Sequence, residues 1–84
     1  MSVEFDPDKD AANRAKHGVS LGLAEVGDWT AAYIAIDDRK DYKEMRWYAY
    51  LPIGGRVHVV IYTERDAVTR IKFASSQSKG GQKV

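Results

Sequence analysis

Apolar residues fall into two regimes: helical spacing between residues 6 and 28, then β-branched and aromatic runs between 30 and 74. Asp6 followed by Pro7 has the form of an N-cap with proline at the first helical position, where its missing N–H costs nothing. Ala11, Ala12 and Ala15 then repeat at helical spacing. Lys16 and His17 suit the negative end of the helix dipole, and Gly18 suits the residue that ends the helix. Ser20 reads as the cap of a second, shorter helix through Leu21, Ala24 and Glu25, with Leu23 and Val26 also available for burial, until Gly27 and Asp28 break it.

Beyond Trp29 the runs 30–36, 46–53, 57–63 and 69–74 read as strands. Asp37 to Asp41 forms a polar turn, Gly54-Gly55 a tight hairpin, and Arg65, Asp66 and Ala67 lie at the last turn. Such short connections make neighbouring strands antiparallel. The pattern predicts an α+β fold, two short N-terminal helices packed on one face of an antiparallel sheet of three to four strands, as a single domain over residues 1–74. Residues 75–84, apolar only at Val84, read as a flexible polar tail.

At 84 residues and 9.4 kDa the core is modest, so an active site must lie on a shallow surface or a dimer groove. The absence of cysteine excludes a disulfide frame, a thiolate nucleophile and a zinc finger. No apolar segment approaches the roughly 20 residues of a membrane helix, and Met1 to Asp10 lacks the pattern of a signal peptide. A cytoplasmic protein without membrane contact is expected. The net charge of +1 conceals an asymmetry: residues 1–42 carry 5 bases and 9 acids, residues 43–84 carry 8 and 3. The second half is thus the candidate for a polyanion, although mutual attraction of the two halves explains the asymmetry equally well.

His17 and His58 lie on different predicted elements, so neither a metal site nor a cofactor is expected, and no serine triad, P-loop or dinucleotide fingerprint occurs. What remains is a set of basic and acid–base side chains: Lys9, Asn13, Lys16 and His17 in the helical start, then Glu64, Arg65 and Arg70 around the last hairpin. Cleavage of RNA by its own 2′-hydroxyl needs a group to take that proton, cations for the charge on phosphorus and an acid for the leaving oxygen, which such a set supplies. If Ile71 and Phe73 face the core, Arg70 and Lys72 share the open face with Ala74. Arg46 shares a strand face with Tyr48 and Tyr50, a mixture suited to bases or to a protein partner. Plainer roles stand beside these. His17 and Lys16 suit a helix C-terminus, Glu64 and Arg65 suit pairing across the hairpin, and His58 suits the core.

The run Phe5-Asp6-Pro7 with Lys9 and Asn13, then Lys16-His17-Gly18-Val19-Ser20, Ala24 and Val26, resembles the BrnT-type ribonuclease toxins of bacterial type II toxin–antitoxin pairs. Asp38, Arg46, the Gly54-to-Arg56 hairpin, Thr63-Glu64-Arg65 and Arg70-Ile71 continue the resemblance over most of residues 5–71. It implies a fold similar to the RelE-type toxins and a metal-independent endoribonuclease that inhibits translation. It further implies a cognate DNA-binding antitoxin, a homodimer or a toxin–antitoxin heterotetramer, and operator DNA reached only through the antitoxin. Within it His17, Glu64, Arg65 and Arg70 take the catalytic roles, and Lys9, Asn13, Lys16, Arg46 and Lys72 hold the RNA phosphate. The chain departs from the family pattern at Ser75 and Ser76, where basic residues are usual, and at Phe5 and Lys40, where Trp and His are usual. The alternative to an enzyme is therefore a non-catalytic remnant that only binds antitoxin or self-associates.

Overall fold

The computed structural model describes residues 2–39 and 43–76. Strand β1 (Val3–Glu4) leads into helix α1 (Pro7–His17), followed by two 3₁₀ segments, Leu21–Val26 and Trp29–Ala31. Strands β2 (Tyr33–Ile36), β3 (Trp47–Ile53), β4 (Arg56–Arg65) and β5 (Val68–Ser76) complete one sheet in the order β1-β5-β4-β3-β2. The expected α+β class holds, but the sheet has five strands and is mixed, because β1 runs parallel to β5. A two-residue strand has no period to read, so β1 left no trace in the sequence pattern.

Helix α1 begins and ends as its caps dictate. The Asp6 carboxylate accepts from the N–H groups of Asp8 and Lys9 at 2.8 and 3.4 Å, and Gly18 at φ 72° donates its N–H to the Arg14 carbonyl at 2.8 Å. Its attachment, however, is polar. Ala11, Ala12 and Ala15 are exposed, and the buried positions are Asp10 and Asn13. Asp10 Oδ1 accepts from the Leu21 N–H at 2.7 Å and the Ser20 hydroxyl at 3.1 Å. The Asn13 amide donates to the carbonyls of Val19 (2.8 Å) and Ala74 (2.7 Å) and accepts from the Ala74 N–H at 3.4 Å. One side chain thus satisfies the edge of β5 just beyond the point where β1 stops pairing with it.

The expected second helix is a six-residue 3₁₀ segment, with Leu23 and Val26 exposed rather than buried. Six residues including a glycine cannot repay α-helix nucleation, and their geometry is set from outside by Asp10 on the Leu21 N–H. Gly27 at its end lies so close to β3 that an added Cβ would stand 2.6 Å from Leu51. The strand expected from Thr30 begins only at Tyr33, because Trp29–Ala31 forms a further 3₁₀ turn anchored by the Trp29 indole on the Ala24 carbonyl at 2.9 Å.

The 3₁₀ segments cover one sheet face, burying Leu21 and Ala24 against Ala49, Leu51, Val60, Ile71 and Ala74. Tyr62 stacks on Trp47 and meets Trp29 edge-on on the same side. Strict alternation would place Ile71 and Phe73 together in this core. Instead Ile61 lies opposite Phe73 while Tyr62 lies opposite Ile71, so Lys72 is an extra residue in a β-bulge. The bulge turns Phe73 to the open face and Ala74 into the core, which reverses the expectation for these two residues. Strand β5 also includes Ser75 and Ser76, so the expected tail does not begin at Ser75. Its residues 77–84 lie outside the described residues.

The β4–β5 turn places Asp66 and Ala67 at φ 54° and 65°. A left-handed alanine costs about 1–2 kcal/mol, so Ala67→Gly is expected to raise stability by about 1 kcal/mol, read as a higher urea midpoint with an unchanged slope. Among the described residues no helix is long and apolar enough to cross a membrane.

Candidate active site

Helix α1 lies along the outer edge of β5, and its Lys9, Asn13 and Lys16 recur at helical spacing on one side. With His17 they face Lys72 and Phe73 across an open cleft of about 240 Å³. The His17 ring meets the Phe73 ring edge-on at a centroid distance of 4.8 Å. Because Phe73 sits beyond the bulge, its ring reaches the helix rather than the core, and His17 gains a fixed wall beside an otherwise exposed position.

The cationic surface continues from Lys72 over the open face of the sheet. Arg70 lies opposite Thr63 on β4 and Glu4 on β1, and its Nη1 stands 2.9 Å from Glu4 Oε1. Continuing the β3–β4 register by one residue brings Arg46 opposite Thr63. Thr63 is fully buried between them, and its hydroxyl has no hydrogen-bond partner among the described residues. Arg65 follows two residues along the same face of β4, its Nη2 2.6 Å from Glu44 Oε1. The second Glu44 oxygen stands 3.8 Å from Lys72 Nζ.

The charges here act on one another. The hydrogen bond from Arg65, with added attraction from Lys72 and Arg46, holds the Glu44 carboxyl below the usual carboxylate range despite some desolvation. Burial pushes the Lys72 ammonium below the usual lysine range; Glu44 opposes that shift, while Lys9, Arg70 and Arg46 add to it by repulsion. Six cationic groups, from three elements and the residue before a fourth, are drawn to one side of the domain: Lys9 and Lys16 from α1, Arg65 from β4, Arg70 and Lys72 from β5, and Arg46 just before β3.

Not every candidate from the sequence joins them. Glu64 precedes Arg65 on a strand and so points to the other face, where it raises the Tyr62 pKa, secondary to burial, and accepts from the Thr69 hydroxyl at 3.2 Å. Asn13 lines the cleft, but its amide is fully engaged with backbone. His58 is buried, its Nδ1 3.1 Å from the Arg56 carbonyl, as suits a core histidine. The sequence assigns no role to Glu4 or Glu44, and names Thr63 only within the Thr63-Glu64-Arg65 run. The acids stand in stretches with no periodic signal, and a threonine within a strand reads as ordinary sheet. Among the described residues no group of three or more His, Cys, Asp or Glu is placed to hold a metal ion.

Farther along the open face the surface turns aromatic. Tyr48 and Tyr50 line a second cleft with Arg39, Val59 and Ile61, and Tyr33 lies against Tyr50 at 6.1 Å.

No curated protein matches the chain. The family model described as the ribonuclease toxin BrnT of type II toxin–antitoxin systems matches residues 5–74, a span that holds α1, the bulge and every cation of the cleft. The chain belongs to the BrnT family of ribonuclease toxins.

Proposed function

We propose that the chain is a cytoplasmic, metal-independent endoribonuclease that inhibits translation until its antitoxin covers the site. The observation that carries this reading is the meeting of α1 and the β5 bulge, where Lys9, Lys16 and His17 confront Lys72 over a cleft open to a single strand. In the reaction the 2′-oxygen gives up its proton and bonds to phosphorus, and the P–O5′ bond breaks as the leaving oxygen takes a proton. A 2′,3′-cyclic phosphate and a 5′-hydroxyl result. Lys72, Arg70, Arg65 and Arg46 hold the phosphate and the charge that builds on it, with Lys9 and Lys16 on the flanking backbone. His17 transfers the proton. Glu64, turned to the opposite face, takes no part, and Asn13 serves by holding α1 against β5 rather than by touching RNA.

This division of labour makes His17→Ala lower the single-turnover cleavage rate by about 10²–10⁴-fold, the usual worth of a general acid or base. Glu64→Ala is expected to stay within a few-fold of the parent. Equal losses for both variants, measured on folded protein, would overturn the assignment.

The aromatic half of the open face, around Tyr33, Tyr48 and Tyr50, suits a protein surface, and in this reading the cognate DNA-binding antitoxin docks there. Operator DNA is then reached only through the antitoxin. A second reading is favoured by Ser75, which stands on the open face opposite Val59 where a basic residue is usual in the family. It is a non-catalytic remnant that only binds antitoxin or self-associates. Expression without antitoxin separates the two, because the enzyme arrests growth and the remnant accumulates harmlessly.

A further inference from the structure

Glu44 differs from Glu4 and Asp10 in its described ion pairs. Glu4 meets Arg70 and Asp10 meets Arg14, whereas Glu44 presents one oxygen to Arg65 and the other to Lys72, at 2.6 and 3.8 Å. It stands in the bend before β3, outside every strand ladder, so it can swing away without breaking a backbone hydrogen bond of the sheet.

We propose that the Glu44 carboxylate fills, in the free chain, the anion site that a phosphodiester of the RNA takes when it binds. A carboxylate and a phosphodiester each offer two oxygens to a pair of cations, and two anions in that space repel each other, so the phosphate enters as Glu44 leaves. Glu44 is then an internal competitor. It weakens RNA binding. The hydrogen bond and the cations around it keep Glu44 ionised, so the competition persists at neutral pH. The idea rests on the phosphate-binding reading above and adds to it a residue that lowers affinity.

The test is fluorescence anisotropy with a labelled 2′-O-methyl oligoribonucleotide, which binds without being cleaved, against the full chain and its Glu44→Gln, Arg65→Ala and doubly substituted variants. Glutamine keeps the length of the side chain and an acceptor for Arg65 while removing the charge. Glu44→Gln is expected to bind about tenfold tighter at low salt, with a smaller gain as salt rises. Adding Arg65→Ala should cancel most of the gain. Equal or weaker binding by Glu44→Gln would overturn the proposal while leaving phosphate binding intact. Absence of binding by every protein would overturn both. Tightened binding with unmodified RNA left uncut would support the Glu44 site and remove the ribonuclease reading alone.

Discussion

Alanine at both Arg70 and Lys72 is expected to lower RNA cleavage by about 10³-fold or more, since single charge-stabilising donors are worth about 10²–10³-fold in rate. Both groups belong to β5 at and beside the bulge, where the open face of the sheet meets the cleft under α1. The loss should fall on the rate and not on the fold. Arg70 contributes an ion pair with a largely exposed Glu4, and such pairs are worth about 0–1 kcal/mol. Lys72 is already held below the usual lysine range by burial, so removing it relieves repulsion from Lys9, Arg70 and Arg46. Single-turnover kinetics beside a thermal melt separate the two effects. A double variant that melts normally and cuts within tenfold of the parent would place the phosphate elsewhere.

The second large effect is structural. Asn13→Asp puts a carboxylate oxygen where an amide now donates to the carbonyls of Val19 and Ala74, at a position only 8% exposed. Two lost donors and a buried anion facing carbonyl oxygens should cost about 3 kcal/mol or more. At this size that is a drop in Tm of about 12–24 °C, from a total stability of only about 5–15 kcal/mol. Lys9→Ala, one turn earlier on the same side of the helix, should shift stability by less than about 0.5 kcal/mol. A melting point for Asn13→Asp within a few degrees of the parent would mean that α1 is held by other contacts.

The contrast between these two helix positions marks how far the sequence could be read. Asp6, Pro7 and Gly18 announced both ends of α1 because caps act locally, and the hairpins at Gly54-Gly55 and Asp66-Ala67 followed from short polar breaks between β-branched runs. The alanines at helical spacing misled, since α1 is attached through Asp10 and Asn13 and a hydrogen bond has no hydropathy signature. The bulge at Lys72 was equally silent. One extra residue inverts the face of everything after it, so Phe73 and Ala74 exchanged places and the cleft acquired its aromatic wall. In the candidate site, basic residue types and the family motif were visible in the chain. Their grouping was not, because it depends on pairing partners far apart in sequence, such as Glu44 with Arg65 and Glu4 with Arg70.

In the proposed reaction the groups between α1 and β5 cut RNA without a metal ion. Its most direct measurement is incubation of the purified chain with end-labelled, mixed-sequence RNA in excess EDTA, with the Arg70→Ala, Lys72→Ala double variant alongside. Fragments ending in 2′,3′-cyclic phosphate from the parent, and their absence from the variant, are the predicted result. Intact RNA with a demonstrably folded parent, or cleavage that appears only when a divalent metal is restored, would contradict it.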